Sequence, residues 1–268
     1  VDRTPHPWNC DFSWQDHAGP FTTITREQAE AYDRDGFFVI DDVFDAATLS
    51  RLDAELQRGD ASTRRFLDTL DTGRFGVTGL DTQIVAPHGV VKSQYLRELC
   101  AHPTLAGVAA DLLGSPARLY WEQSVYKQPN SAEPVLFHQD NGYTFVEPQS
   151  YVTCWIAITD ATKANGCVAV MPGVHRGGTL AHRHTDLGEE CWGDWSSAVT
   201  VPVRAGSVVV FTSLTPHATY TNRTAVVRKA YIVQYAPDGA EALVGDPAKG
   251  PPADRVLQND ADRQFVVA

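Results

Sequence analysis

The chain has 268 residues, of which 43% are hydrophobic and 21% are charged, and its formal net charge is −11. This balance is typical of a soluble globular protein, and we expect one domain over residues 1–268. The negative charge disfavours nucleic acid and anionic membrane surfaces as partners. No apolar run approaches the roughly 20 residues that cross a bilayer. Composition therefore favours a small-molecule partner, with a monomer as the simplest expectation.

The cysteines indicate the redox environment. There are five of them, an odd number, and none stands in a Cys-x-x-Cys pair. The pattern predicts neither a disulfide framework nor a zinc knuckle, and it favours a reducing cytoplasm.

Helical patterns dominate about residues 25–117. Thr25 and Gln28 form a capping-box pattern, followed by a helix that we expect to end at Gly36. A second helix should begin near Asp45 and end at Gly59.

Three further segments complete this half of the chain. Residues 37–40 are predicted to form a short strand, and a helix should run from about Pro103 to Leu113. Residues 60–92 have many Asp, Thr and Gly and no sustained period. They are predicted to be irregular, and such a segment in a compact domain is often a functional lid.

Short strands separated by turn signals fill about residues 118–237. The candidate strands are residues 119–128, 135–140, 151–159, 167–171, 207–212 and 226–235. Many short strands with this punctuation predict a β-sandwich or a jelly-roll barrel.

A candidate metal site lies at the end of one apolar strand. His138 and Asp140 are two residues apart, and side chains at this spacing on a strand project from one face. With a distant His217 they can form a 2-His-1-carboxylate site for non-haem Fe(II), which leaves positions open for a co-substrate and O2. A second His-x-Asp pair, His184 and Asp186, lies in a polar insert, and we expect it to be a solvated loop.

Arg228 lies on the predicted apolar strand 226–235. A buried guanidinium requires an anion, and its planar fork suits a carboxylate. Two partners stay open at this point: an organic acid bound beside a metal, or an internal salt bridge to Glu122 or Asp160. His217 taken alone is explained by default as a packed histidine at the mouth of a barrel.

Taken together, these residues resemble the phytanoyl-CoA dioxygenase family of Fe(II)/2-oxoglutarate oxygenases. The resemblance covers about residues 25–237, and it includes segments 35–40, 151–160, 165–167, 171–177 and 205–207. It implies a mainly β protein with flanking helices, built on a double-stranded β-helix, which is a jelly-roll or cupin-like barrel.

The resemblance also implies roles for individual residues. It assigns Fe(II) to His138, Asp140 and His217, which thereby form the catalytic centre, and the distal carboxylate of 2-oxoglutarate to Arg228. Further co-substrate contacts are implied for Thr219, Trp155, Gln123 and Lys92. Candidate substrate contacts are Asn141, Tyr143 and His175, although Asn141 fits a β-turn with Gly142 equally well.

The expected reaction is hydroxylation of an unactivated C–H bond in a small-molecule metabolite, with O2 consumed and succinate and CO2 released. Related halogenases replace the carboxylate ligand with a small residue, so Asp140 favours hydroxylation. Desaturation, epoxidation, cyclisation and an acyl-CoA substrate stay open. The alternatives are a cupin-like metal isomerase or hydrolase without 2-oxoglutarate, and a non-catalytic barrel that acts as a binding module.

Overall fold

This computed structural model describes residues 4–268, and its longer helices lie in the first half of the chain. The α-helices are α1 (Arg26–Asp35), α2 (Ala46–Leu67), α3 (Gln94–Cys100), α4 (Pro103–Leu113) and α5 (Asp140–Tyr143). Short 3-10 helices cover Gly89–Val91, Val174–Gly177 and Pro247–Lys249. Within the described part of the chain, no helix is both long and apolar enough to cross a membrane.

The strands lie mostly in the second half of the chain. They are β1 (Phe37–Ile40), β2 (Arg74–Phe75), β3 (Thr78–Gly79), β4 (Gln83–Pro87), β5 (Ala117–Lys127), β6 (Val135–His138), β7 (Val146–Glu147), β8 (Val152–Ala157) and β9 (Val168–Val170). Then follow β10 (Arg183–Thr185), β11 (Gly188–Glu190), β12 (Val199–Val201), β13 (Val208–Thr212), β14 (His217–Thr219), β15 (Arg228–Pro237), β16 (Glu241–Val244) and β17 (Asp254–Leu257).

Two antiparallel sheets form the centre of the molecule. The larger has eight strands in the order β1-β13-β8-β15-β5-β4-β3-β2, and the smaller has four in the order β12-β9-β14-β6. This arrangement is the jelly-roll predicted from the sequence, mainly β with helices outside the larger sheet. It departs from the expected barrel in one respect, because hydrogen bonding among residues 4–268 does not close the sheets into a ring.

The core has two layers on opposite sides of the larger sheet. On β8, Cys154 and Ile156 pack with the helices, whereas Trp155 and Ala157 pack between the sheets. Successive strand residues point to opposite faces, so a strand covered on both faces is apolar throughout. The continuous apolar run of β8 follows from this double coverage.

The two helix ends predicted in the first part of the chain differ in outcome. The Thr25–Gln28 capping box and the left-handed Gly36 at the end of α1 are confirmed. The predicted end of α2 at Gly59 is wrong, because the helix continues to Leu67. A Cβ at Gly59 would lie 3.3 Å from the Cβ of Ala86, so this glycine allows a close approach to β4 instead of ending the helix.

Residues 60–92, expected to be irregular, contain the end of α2 and three strands. The main strand is β4, which pairs with β5 from Gln83 opposite Lys127 to Pro87 opposite Gln123. The pairing satisfies the backbone of β4 and orders a segment without a clear hydrophobic period. The proposed lid role of this segment stays a prediction. Val77, which belongs to the segment, borders the cavity described below.

Candidate active site

Three side chains converge between the two sheets. His138 ends β6, His217 begins β14, and the two residues lie directly opposite each other in the strand pairing. Asp140 Oδ1 is 4.0 Å from His138 Nε2 and 3.7 Å from His217 Nε2. All three ligand atoms lie within 4.8 Å of one another, which fits a single metal ion between them.

Asp140 reaches this position differently from the sequence-based expectation. We expected it on the strand with His138, but β6 ends at His138 and Asp140 opens the short helix α5. The backbone N–H of Gly142 donates to Gln139 O at 2.9 Å, closing a tight turn. This turn, and not the pleat of a strand, directs the carboxylate towards the histidines.

Hydrogen bonds fix the orientation of both histidine ligands. Nδ1 of His138 lies 2.8 Å from Leu136 O and Nδ1 of His217 lies 3.0 Å from Thr215 O. A carbonyl can only accept, so each Nδ1 carries the proton and each Nε2 keeps its lone pair. Burial and the neighbouring His217 hold the pKa of His138 well below its usual value, which keeps this imidazole neutral.

A cavity of about 390 Å³ extends from this cluster between the sheets. Its apolar lining residues are Val77, Val85, Val125, Val135, Val168, Phe211 and Ile232. Its hydrogen-bonding and aromatic residues include Gln83, Tyr120, Trp121, Gln123, Tyr143, Thr144, Tyr151, Trp155 and Gln234. Apart from the histidines, the titratable charged residues of the lining are Asp140 and Arg228.

Arg228 borders the cavity with most of its hydrogen-bonding capacity unused. The side chain is 1% exposed, and Nη1 donates to Val125 O at 3.3 Å. Within residues 4–268, Nε and Nη2 have no hydrogen-bond partner. Burial lowers the pKa of Arg228 to about 10, so the group still carries its charge at neutral pH. The structure thus presents a buried cation that requires an anion.

The internal salt bridge considered for Arg228 does not form. Glu122 accepts from the Tyr231 hydroxyl at 2.8 Å and from the backbone N–H of Val90. Asp160 accepts from the backbone N–H of Ala205. No carboxylate of the described chain is ion-paired with Arg228, which leaves a bound organic acid as the remaining partner.

Three of the four other residues expected to contact the co-substrate line the same cavity. These are Thr219, Trp155 and Gln123. The guanidinium carbon of Arg228 stands 5.2 Å from the centre of the Trp155 ring. Lys92 does not reach the cavity, because it follows the 3-10 helix Gly89–Val91 with its side chain exposed.

The lysine beside the site is Lys127, which the sequence analysis did not single out. It is 1% exposed, stands directly opposite Arg228 in the β5–β15 pairing, and donates to Thr219 Oγ1 at 2.9 Å. A signal was present in the sequence. Residues 123, 125 and 127 alternate along one strand and therefore point to the same face, and Gln123 and Val125 line the cavity. Lys127 is thus a basic residue at an inward-facing position of a buried strand.

The three candidate substrate residues have different surroundings. Tyr143 lines the cavity, with its ring centre 5.2 Å from that of His138. Asn141 is fully buried and fixes the turn, donating to Thr179 Oγ1 and accepting from Val146 N. His175 does not line the cavity, and its ring packs edge-on against that of Trp14 with the ring centres 4.5 Å apart.

The second His-x-Asp pair is separate from the metal cluster. His184 lies on the β10–β11 hairpin, which is strand and not the loop expected, and its ring contacts Glu189 at 2.8 Å. Its side chain is 84% exposed. The position of this pair on a solvated hairpin explains why an identical sequence pattern does not join the site.

A jelly-roll that gathers two histidines, a carboxylate and an unpaired buried arginine around one cavity defines a class of protein, the non-haem iron oxygenases that use a 2-oxo acid. The family model described as phytanoyl-CoA dioxygenase (PhyH) matches residues 32–230. The chain therefore belongs to the phytanoyl-CoA dioxygenase family, and it is an Fe(II)/2-oxoglutarate-dependent dioxygenase.

Relatives of this chain act on different substrates. Methylphosphonate hydroxylase of Gimesia maris is 25% identical over 218 residues, covering 80% of this chain and 81% of the relative. Ectoine dioxygenase of Bordetella parapertussis is 26% identical, covering 74% of this chain and 71% of the relative. The solved structure of the alpha ketoglutarate dependent carbocyclase SnoK from nogalamycin biosynthesis is 26% identical, with a TM-score of 0.73 over 93% of this chain and 100% of that one. This variety means that the substrate must be argued from the cavity itself.

Proposed function

We propose that this dioxygenase hydroxylates an unactivated C–H bond in an uncharged small molecule, consuming 2-oxoglutarate and O2 and releasing succinate and CO2. One observation carries the proposal. Arg228 presents two unused guanidinium nitrogens to the cavity that also holds the His138, Asp140 and His217 cluster. A metal and an anion-binding group in one enclosed space fit an acid that bridges them.

The donor set fits iron(II). Nε2 of His138 and His217 would supply two neutral donors and Oδ1 of Asp140 one anionic donor, a set typical of Fe(II) sites that keep open positions. Bound there, iron(II) would supply the dioxygen activation that attack on a C–H bond requires. The protein residues keep the protons on Nδ1 of both histidines and hold the Asp140 carboxylate in place.

The co-substrate would lie between the metal cluster and Arg228. The Nε and Nη2 groups of Arg228 are positioned to donate to the distal carboxylate, and Thr219 adds a hydroxyl at the same end of the cavity. Burial strengthens these charge-assisted bonds because little water competes for them. The enclosing apolar walls also exclude water from the reacting groups.

The remaining lining of the cavity favours an uncharged substrate. Its walls are aromatic or carry neutral amides, as at Trp121, Tyr143 and Gln234. Once Asp140 and Arg228 are engaged with metal and co-substrate, the lining holds no further carboxylate, lysine or arginine. A phosphonate, carboxylate or ammonium group inside would then be buried without a partner, which is costly. A ring or alkyl skeleton with a few hydroxyl or carbonyl groups fits these walls.

The alternatives make different use of the same residues. A cupin-like isomerase or hydrolase has no need for an unpaired arginine beside its metal, and Arg228 faces the cavity. A non-catalytic barrel has no need for stoichiometric iron, so metal analysis of purified protein separates it. We also propose a monomer, and a location in the reducing cytoplasm, which agrees with the free state of all five cysteines.

The proposal is tested with the Fe(II)-loaded protein. In the absence of oxygen, calorimetry should detect binding of 2-oxoglutarate, weakened about 100-fold in Arg228→Met because two charge-assisted bonds are lost. Arg204→Met is the matched control, since Arg204 is exposed and pairs with Asp42. Wild-type protein that does not bind 2-oxoglutarate would refute the proposed function.

Turnover supplies the second measurement. With oxygen, succinate release should depend on 2-oxoglutarate and disappear in Asp140→Ala. A panel of metabolites should stimulate succinate release when its members are uncharged ring or alkyl compounds. Stimulation confined to phosphonates, acyl-CoA esters or amino acids would contradict the proposed substrate class.

A further inference from the structure

Two fully buried basic side chains lie side by side in the larger sheet, and burial together with the neighbouring Arg228 lowers the pKa of Lys127 well below its usual value. Lys127 on β5 lies directly opposite Arg228 on β15, and each is 1% exposed. Among residues 4–268 neither forms an ion pair, since the nearby Glu133 carboxylate is engaged by Arg74 at 2.9 Å. Like charges opposite each other on one sheet face repel, and burial adds a desolvation cost. An anion bound in the cavity beside Arg228 would offset both costs.

The hydrogen bonds of Lys127 determine the role of Thr219. Nζ donates to Thr219 Oγ1 at 2.9 Å, to Tyr220 O at 2.8 Å and to Glu133 O at 3.3 Å. Nζ thus has three partners, one for each N–H of an ammonium group, and Thr219 Oγ1 is the acceptor in the first of these bonds. The single hydroxyl proton of Thr219 is therefore left for another partner, and Thr219 and Arg228 both line the cavity.

The stem of Lys127 is accommodated by Gly166. A Cβ at Gly166 would lie 2.9 Å from Lys127 Cδ and 2.6 Å from Tyr220 O, and its φ of +92° favours glycine. A side chain at this position would thus displace both the lysine and one of its acceptors. The position of the ammonium group depends on a strand, a turn and this glycine together.

We propose that Lys127 is the second basic residue of the co-substrate site, acting as a positioning residue for Thr219. It makes the Thr219 hydroxyl a hydrogen-bond donor towards the cavity, and a carboxylate bound beside Arg228 would favour the charged form of Lys127. The cavity thereby favours 2-oxo acids that carry a second carboxylate over those that do not. This inference rests on the proposed function, because it takes 2-oxoglutarate as the acid that occupies the cavity.

The test compares two acids that differ at their far end. Binding of 2-oxoglutarate and of 2-oxobutanoate, which lacks the distal carboxylate, is measured by calorimetry on Fe(II)-loaded protein without oxygen. Lys127→Met should weaken 2-oxoglutarate binding about tenfold or more and change 2-oxobutanoate binding less than about twofold. Lys163→Met is the matched control, because Lys163 is exposed and its Nζ is 4.9 Å from the Tyr220 ring.

A double-variant cycle tests whether Lys127 acts through Thr219. If it does, the Lys127→Met and Thr219→Val effects on 2-oxoglutarate binding should be strongly non-additive. Lys127→Gln, which keeps a neutral donor, should bind 2-oxoglutarate more tightly than Lys127→Met and less tightly than wild type. If thermal melting shows that Lys127→Met does not fold, Lys127→Gln replaces it in both experiments.

Three outcomes would overturn the inference. These are an unchanged affinity of the Lys127 variants for 2-oxoglutarate, an equal loss for both acids, and strictly additive effects in the cycle. In each case wild-type binding of 2-oxoglutarate would leave the proposed function standing. Absence of wild-type binding would instead remove the proposed function itself, so the two failures are distinguishable.

Discussion

Thr153 Oγ1 donates a hydrogen bond of 2.5 Å to Oδ2 of Asp140, the carboxylate oxygen that does not approach the histidines. Gln234 Nε2 in turn donates to the Thr153 hydroxyl at 3.2 Å, so the single hydroxyl proton is committed to Asp140. Oδ1 is left for a metal. Two uncharged side chains on neighbouring strands of the larger sheet thus fix how the carboxylate is presented.

Replacing Thr153 with valine should weaken metal binding. The change keeps the side-chain shape and removes the hydroxyl that orients Asp140, and loss of such a partner typically lowers metal affinity 10- to 100-fold. Competition of the apoprotein with a chromogenic chelator for Fe(II) measures the affinity. Thr200→Val is the control, because Thr200 bonds the Tyr220 hydroxyl on the other sheet. Equal Fe(II) affinity of both variants and wild type would show that the Asp140 carboxylate does not need the Thr153 hydroxyl for its orientation.

Gly166→Ala should lower both stability and co-substrate affinity. A left-handed φ costs a non-glycine residue roughly 1–2 kcal/mol, and the contacts with Tyr220 O and Lys127 add to this cost. We expect a loss of about 3 kcal/mol in the free energy of unfolding. Chemical denaturation measures the loss, and calorimetry measures 2-oxoglutarate binding.

Gly239 provides a matched control for that experiment. Its φ is +91°, but a Cβ there would meet nothing within 4 Å. Gly239→Ala should therefore show the backbone cost of roughly 1–2 kcal/mol alone, with unchanged binding of 2-oxoglutarate. Equal losses for both alanine variants would mean that crowding against Lys127 contributes nothing.

Local sequence patterns predicted the helix cap and the buried strand described above. The features that they did not predict depend on pairing between distant strands. The capping box at Thr25 and the apolar run of β8 depend on neighbours in sequence or on simple burial. The role of Lys127 depends on its being opposite Arg228, about 100 residues away, which no local pattern encodes. The same holds for β4, whose order comes from pairing with β5.

The different roles expected for Lys92 and Lys127 can be tested directly. The family resemblance implied a co-substrate role for Lys92, whereas the structure leaves Lys92 exposed at the end of a 3-10 helix. Lys92→Met should therefore change 2-oxoglutarate affinity less than about twofold, in contrast to Lys127→Met. A tenfold loss in calorimetry would show that Lys92 moves to the cavity when the co-substrate binds.

The buried His175 should make stability depend on pH. It is fully buried, its Nε2 lies 3.2 Å from Asp33 O, and burial lowers its pKa from 6.5 to about 4. In the unfolded chain His175 is protonated near pH 6.5, whereas in the folded chain it is protonated only near pH 4. Stability present above pH 6.5 is thus lost as the pH falls through this window, by about 2 kcal/mol at pH 5.

Removing this titration should flatten the pH dependence. In metal-free protein, the free energy of unfolding of His175→Gln should fall less between pH 7 and pH 5 than that of wild type, by about 2 kcal/mol. The comparison cancels contributions from the other histidines, because these are common to both proteins. His184→Gln is the control substitution, since the side chain of His184 is exposed on the β10–β11 hairpin. Parallel profiles for His175→Gln and wild type, obtained by urea denaturation at each pH, would show that His175 is protonated equally in both states.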